Sequence, residues 1–232
     1  MCKRVAIVTG GERGIGAAIV DALQLDGFEV VSASRKCLGS NCHRTCDVRS
    51  EESIAELVSS VVNDFGRIDV LVNNAAVVST TDLLSTSASE WNDVISTNLT
   101  GAFLMCKHVI PHMITGKYGR VISIGSIAGV KRSITASAAY TCSKYGVTGL
   151  TKQIAPIYAA DGITLNCVCP SQTMTDMLKE NVGSVRICEL MEKNPSKRLA
   201  MPNDVSGAVR FLASEHASYI NGVTLEVTGG II

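Results

Sequence analysis

Val5-Ala-Ile-Val-Thr-Gly-Gly-Glu-Arg-Gly-Ile-Gly16 decides the fold. Val5 to Val8 is a short continuous apolar run, the pattern of a parallel strand buried on both faces. Glycines follow at 10, 14 and 16. A helical pattern then begins with Ala17, Ala18, Ile19, Ala22 and Leu23. Strand, glycine loop and helix together have the layout of a dinucleotide site. Glycines let the backbone approach a pyrophosphate, and a helix N-terminus favours its charge. The spacing is G-x-x-x-G-x-G rather than G-x-G-x-x-G, and a glycine-rich turn without a ligand is the plainer alternative.

Outward from this stretch, strands and helices alternate. Glu29–Ser34 reads as the second strand and His43–Val48 as a short third. Ser50-Glu-Glu-Ser opens a helix to about Phe65, with Ile54, Leu57, Val58 and Val61 on one face. Asp69–Val72 is a fourth strand, ending in Asn73-Asn-Ala-Ala76. A helix near Ala88–Leu99 runs on, with a bend, to Met113. The later elements are a strand at Val121–Ile124, a helix at Ala139–Ala160, a strand at Thr164–Val168, a helix at Pro202–Ser214 and a strand at Val223–Val227. Pro156 predicts a kink or an early end in its helix. The polar segment 172–197 reads as irregular, a mobile lid over a cleft. The alternation predicts an α/β fold, a doubly wound parallel sheet of the Rossmann type, as one domain over residues 1–232.

At the end of the second strand, where an NAD site places an acid for the ribose hydroxyls, stands Ser34-Arg35-Lys36. Arg13 lies inside the glycine loop. Two guanidinium groups without a carboxylate suit a 2′-phosphate, so the expected cofactor is NADP(H). Ordinary solvated loop charges are the alternative for Arg35 and Lys36.

The chemistry is expected in the stretch Gly119–Gly149. Its apolar strand ends in Gly125-Ser126, and Tyr140-Thr-Cys-Ser-Lys144 opens a helix. Tyr140 and Lys144, four apart, share one helical face. An ammonium beside a phenol should lower the phenol's pKa and fit it for proton transfer near neutrality. Alone, the Tyr–Lys spacing equally describes a solvated pair.

Composition narrows the class. A chain of 232 residues, 46% hydrophobic, is long enough for one large core. Zero formal net charge and no long basic run argue against nucleic acid. No apolar run approaches the ~18 residues of a membrane span, and Val5–Val8 is too short for a signal core, so a cytoplasmic protein is expected. Nine cysteines at irregular spacing are not a disulfide framework. Cys37, Cys42, His43 and Cys46 could supply zinc ligands, but C-x4-C-H-x2-C matches no familiar zinc spacing. Free thiols and no metal are expected.

Taken together, the motifs closely resemble the short-chain dehydrogenase/reductase family, over nearly the whole chain. Thr9–Gly16 resembles its cofactor loop, Asn73–Ala76 its Asn-Asn-Ala-Gly, and Asn166-Cys-Val-Cys-Pro-Ser171 its Asn-x-Val-x-Pro-Gly. Asn98, Ser126, Tyr140 and Lys144 match its catalytic tetrad. The resemblance implies that Ser126 orients a carbonyl oxygen and Tyr140 donates a proton. It implies that Lys144 tunes Tyr140 and holds the nicotinamide ribose, while Asn98 supports a water linking Lys144 to solvent. Cofactor contacts are implied at Gly10, Arg13, Gly14, Ile15, Gly16, Ser34, Arg35, Asp47, Val48, Asn74, Ala75, Tyr140, Lys144, Pro170, Thr173 and Thr175, with Asp47 meeting the adenine.

The resemblance is nearest to the 3-oxoacyl-(acyl-carrier-protein) reductases. It implies NADPH-dependent reduction of a ketone to a secondary alcohol, on a small-molecule or thioester substrate. Lys117 and Lys179 are the candidate contacts for an acyl carrier protein. A homo-oligomer, tetramer or dimer, is implied through the Ala88–Met113 and Ala139–Ala160 helices, with Pro156 in the second of them. A sugar, polyol or secondary-metabolite dehydrogenase is the alternative within the family, and a non-catalytic NADP(H)-binding module the alternative outside enzymology. Two departures stand out. Ser171 replaces a glycine and loses its freedom at positive φ, and Ala76 adds a methyl beside the cofactor.

Overall fold

Each strand of the central sheet alternates its side chains between two buried faces. In β1 (Val5–Thr9), Val5 and Ile7 join the core on one side, and Ala6 and Val8 the core on the other. The computed structural model describes residues 3–36, 42–133 and 135–231. Its sheet adds β2 (Glu29–Ser34), β3 (His43–Thr45), β4 (Val70–Asn73), β5 (Gly119–Ile124), β6 (Ile163–Pro170) and β7 (Thr224–Val227). The order is β3-β2-β1-β4-β5-β6-β7, all neighbours parallel. This is the doubly wound sheet expected.

Two helical layers cover it. One face packs on α2 (Glu51–Phe65) and α4 (Gly101–Gly116), the other on α1 (Gly14–Leu25) and α8 (Pro202–Ala213). The α2 helix shows why its sequence is helical. Ser50 caps it by accepting from the Ser53 N–H, Glu51 and Glu52 suit its positive end, and Gly66 closes it in the left-handed region. Ile54, Leu57, Val58 and Val61 are its buried residues, the face read from spacing. The strand order reverses between β4 and β3 around β1, so the chains leaving β1 and β4 diverge. Their C-terminal ends bound a crevice, where ligands bind in such sheets.

The bend expected before Met113 is real. Between α3 (Ala88–Ile95) and α4, residues Ser96–Thr100 form one wide turn with five-residue hydrogen bonding. Gly101 follows because the helix passes so close to Val48 that a Cβ there would lie 2.9 Å from a Val48 methyl. The α5 helix (Ala138–Ile154) ends just before Pro156, the early stop that a missing N–H dictates.

Some expectations need correction. Segment 172–197 is not irregular: it folds α6 (Asp176–Asn181) and α7 (Ser184–Lys193). The overall polarity of the segment hides the short apolar face of α7 at Ile187, Leu190 and Met191, and only Leu190 among the residues of the two helices is deeply buried. The third strand stops at Thr45, which leaves Cys46, Asp47 and Val48 as loop. Ser171 is not strained, since the only non-glycine residues with positive φ among those described are Lys117 and Lys197. Lys117 and Lys179 do not share a surface. Lys117 precedes β5 at the N-terminal end of the sheet and pairs with Asp161 at 2.6 Å, whereas Lys179 lies on α6 beyond the C-terminal end of β6. Cys37 lies outside the described residues, and the seven described cysteines are free thiols. Among the described residues no helix is long and apolar enough to cross a membrane.

Ile7 is fully buried at the centre of the sheet, opposite Val31 and Leu71. Ile7→Ala is expected to lower unfolding free energy by about 2–5 kcal/mol in urea titration. Leu84→Ala, at a position 95% exposed, should change it by no more than about 0.5 kcal/mol.

Candidate active site

The crevice at the C-terminal ends of β1 and β4 opens into one cleft of about 440 Å³, well within the range of small-molecule sites. Its floor is locked by Asn74. The Asn74 amide donates to the Thr9 carbonyl at 3.0 Å and the Gly10 carbonyl at 2.9 Å. In return, the Thr9 hydroxyl accepts from the N–H groups of Asn74 at 3.0 Å and Ala75 at 3.1 Å. The loop above it turns through positive φ at Gly10 and Gly14. Gly16 is required by contact, since a Cβ there would sit 2.0 Å from the Gly10 carbonyl oxygen. Arg13 precedes α1 without a side-chain cap, and α1 has no acid in its first turn. Its N–H groups therefore remain available to an anion.

Arg13 and Arg35 line the same cleft as Ser34, and neither guanidinium has a salt-bridge partner among the described residues. The Ser34 hydroxyl donates to the Lys36 carbonyl at 3.1 Å and meets the His43 ring at 3.3 Å, so His43 is engaged in the sheet. A glycine loop for a pyrophosphate and a cleft that extends to the end of β2 fit a dinucleotide.

Asp47 and Val48 line this end as well, and Asp47 holds an arginine there. Its two oxygens accept from Arg49 through the backbone N–H, Nε and a terminal nitrogen, at 2.7 to 3.2 Å. The Arg49 fork holds the Asp47 carboxyl below its ordinary range. A carboxylate has about four lone-pair sites, and Arg49 meets them with three N–H groups, which leaves about one for a further donor.

The other end of the cleft holds the chemistry. β5 delivers Ser126, whose hydroxyl accepts from the Ala128 N–H at 3.1 Å. Ser137 caps α5 by accepting from the Tyr140 N–H at 3.2 Å, which fixes Tyr140 in the first turn. The Ser126 hydroxyl lies on the same cleft wall as the Tyr140 phenol and favours its ionised form. Lys144, 3% exposed, lies one turn further, with Nζ 5.6 Å from the centre of the Tyr140 ring. Nζ donates to the Ile124 carbonyl at 2.8 Å.

The electrostatics correct the expected tuning. Burial pushes the Tyr140 phenol up, against the smaller opposing effect of the Ser126 hydroxyl. Burial also pulls Lys144 down to about 8. Low polarity disfavours both charged forms, and Nζ is committed to a carbonyl, so Lys144 does not lower Tyr140 in this arrangement. Tyr140 stays protonated at neutral pH, the form of a proton donor.

Asn98 stands apart. It does not line the cleft but a small void beside it of about 10 Å³, shared with Lys144. Its amide donates to the Val77 carbonyl at 2.9 Å and the Ser143 hydroxyl at 3.0 Å, and its oxygen accepts from the Val77 N–H at 2.8 Å. Its side chain therefore bolts the wide turn to α5. Gly10, Arg13, Gly14, Ile15, Gly16, Asn74, Ala75, Pro170, Thr173 and Thr175 all line the cleft with Ser126, Tyr140 and Lys144. The sequence reading missed Ser143 and Arg49. Only Arg49 left a sequence signal, an opposite charge two residues from Asp47.

A family model described as enoyl-(acyl carrier protein) reductase matches residues 10–232. The chain is 37% identical to the 3-oxoacyl-(acyl-carrier-protein) reductase FabG of Vibrio cholerae, over 98% of this chain and 97% of that one. It is 38% identical to the acetoacetyl-CoA reductase of Shinella zoogloeoides, over 98% of each. Among solved structures, the ligand-free aldohexose dehydrogenase of Thermoplasma acidophilum superposes with a TM-score of 0.92 at 34% identity, over 99% of this chain and 94% of that one.

The depressed Lys144 predicts a pH dependence of stability. Between about pH 8 and 10.5 the native state sheds the Lys144 proton while the unfolded state keeps it. The unfolded state then binds more protons, so this group's contribution to stability rises with pH. Urea unfolding from pH 7 to 10.5 should show the wild type gaining on Lys144→Met across that window. Parallel profiles would contradict it.

Proposed function

The chain belongs to the short-chain dehydrogenase/reductase family, and from that premise we propose that it reduces the ketone of a 3-oxoacyl thioester to a secondary alcohol with NADPH. The observation that carries this is the pairing of the Ser126 and Tyr140 hydroxyls above the buried Lys144, in the same cleft as the glycine loop. When bound, the dihydronicotinamide supplies hydride to the carbonyl carbon. Gly10, Gly14 and Gly16 would admit the pyrophosphate to the N-terminus of α1, and Arg13 and Arg35 would take the 2′-phosphate. Pro170, Thr173 and Thr175 would hold the nicotinamide half.

Ser126 donates a hydrogen bond to the substrate carbonyl oxygen and fixes its direction. Tyr140 gives that oxygen its proton as general acid, and the raised phenol pKa keeps this proton available. Lys144, whose Nζ donates to the Ile124 carbonyl, would hold the nicotinamide ribose. The proton lost by Tyr140 is replaced through Lys144 and a water in the void beside Asn98, which has room for about one. Asn98 acts by holding the wide turn that shapes this void. Segment 172–197 closes over the substrate as a lid.

Its feet support that reading. Met174 N–H donates to the Ala200 carbonyl at 2.8 Å, and Ala200 N–H to the Gln172 carbonyl at 3.1 Å, while α6 buries no residue deeply. The thioester class is favoured by the two curated relatives, both thioester ketone reductases by name. An aldose or polyol dehydrogenase is the second reading, supported by likeness to the aldohexose dehydrogenase. A binding module without activity would have no use for the Ser126–Tyr140–Lys144 arrangement. Partly exposed Trp91, Phe103 and Tyr145 support a homo-oligomer built on α3, α4 and α5. Pro156 falls after α5 and leaves that surface intact.

Tyr140→Phe should lower NADPH oxidation by an acetoacetyl thioester about 10²–10⁴-fold and leave NADPH affinity, read by nicotinamide fluorescence, within about twofold. Turnover retained at the wild-type rate would contradict the assignment.

A further inference from the structure

Asn73, the last residue of β4, is 7% exposed and lines the small void that Lys144 shares with Asn98. Its amide nitrogen donates to the Ser123 hydroxyl and to the Cys106 sulfur, each at 3.5 Å. Neither of those two residues lines the void. The amide oxygen diverges from that nitrogen in the trigonal carboxamide, so the oxygen edge is the one the void meets. This oxygen is buried and has no hydrogen-bond partner among the described residues. A buried acceptor without a donor is costly. Where space allows, an ordered water satisfies it.

The space is of the right size. The void measures about 10 Å³, close to one water. A water needs two to four polar partners, and most polar groups around the void are already engaged. The Asn98 amide spends both N–H groups on the Val77 carbonyl and the Ser143 hydroxyl, and its oxygen accepts from the Val77 N–H. The Thr9 hydroxyl donates to the Val72 carbonyl and accepts from the Asn74 and Ala75 N–H groups. Lys144 is different, since its ammonium has three hydrogens and Nζ donates one of them to the Ile124 carbonyl. Met105 and Val147 make part of the wall apolar. Thr97 lines both the void and the cleft, which places the two spaces on either side of one residue.

We infer that Asn73 is a positioning residue for the proton relay: its side-chain oxygen holds a water against Lys144 in this void. The inference rests on the reductase reading and deepens it, because that reading gives the water a place but no holder. A water that donates one hydrogen to the Asn73 oxygen keeps its second hydrogen for Nζ. After Lys144 has passed a proton toward the Tyr140 phenolate, its amine takes that second hydrogen. The new N–H bond forms as the water O–H bond breaks, and the water oxygen regains a proton from solvent through the cleft. Nothing is oxidised or reduced in this step.

Two measurements test it. The first is a crystal structure of the wild-type protein, with the void read from electron density. One ordered water is expected within hydrogen-bond distance of the Asn73 oxygen and of Lys144 Nζ. The second is NADPH oxidation by an acetoacetyl thioester in light and heavy water, for the wild type, Asn73→Leu and Asn73→Ser. Asn73→Leu fills nearly the same volume without an acceptor. It should lower kcat about tenfold, leave NADPH affinity within about twofold and enlarge the solvent isotope effect on kcat. Asn73→Ser keeps an oxygen on the void and should recover most of the lost kcat.

A wild-type void without a water on the Asn73 oxygen would overturn the inference, whatever the variants do. So would wild-type kcat in a folded Asn73→Leu, or a lowered kcat with an unchanged solvent isotope effect, which would make Asn73 a merely structural residue. A wild type that binds NADPH but reduces no ketone would overturn the reductase reading, and the relay role with it.

Discussion

The Asn74 amide, clamped between the Thr9 and Gly10 carbonyls, is the interaction on which the site depends. Parallel strands that diverge at a crossover leave unpaired backbone groups at their C-terminal ends, and such groups are costly when buried. Asn74 and the Thr9 hydroxyl satisfy them across the gap and fix the distance between β1 and β4. The glycine loop can then rise over the gap, and α1 can start with its N–H groups facing the cleft. Pulling the same strands together would close the cleft, and leaving them unbridged would let the loop move.

The same logic sets the chemistry at the other end. β5 and α5 bring Ser126, Tyr140 and Lys144 into an environment of low polarity, and that environment outweighs the attraction expected between phenol and ammonium. Burial keeps Tyr140 protonated and weakens Lys144 as a base-bound cation. For ketone reduction this is the useful direction, since the group that must give a proton is held with one. Lys144 is tied to the Ile124 carbonyl by a hydrogen bond that a ribose hydroxyl can replace.

Much of this was legible in the residues. The four apolar residues of β1, the glycines after them and the Ile54–Val61 face each carry a local physical requirement, and the structure meets each one. The tetrad residues were legible as types and spacings. Three things were not. The helices α6 and α7 rest on few buried side chains, and the short apolar face of α7 at Ile187, Leu190 and Met191 is masked by the polar residues around it. The pKa directions depend on burial, which spacing does not encode. The surface shared by two residues depends on which end of a strand each occupies, and Lys117 and Lys179 fall on opposite ends. Arg49 lay in plain sight beside Asp47, but its reach to Asp93 spans 44 positions of sequence.

The central claim is hydride delivery to a ketone carbon under the Ser126–Tyr140 pair. The most direct measurement is isotope transfer: the protein, NADPH deuterated at the nicotinamide C4 position and an acetoacetyl thioester, with the product read by mass spectrometry and NMR. The account predicts one deuterium, from NADPH labelled on one face of the ring, on the carbon that bears the new hydroxyl. A product that carries no deuterium there, or no product while a crotonyl thioester is reduced across its double bond, would contradict it.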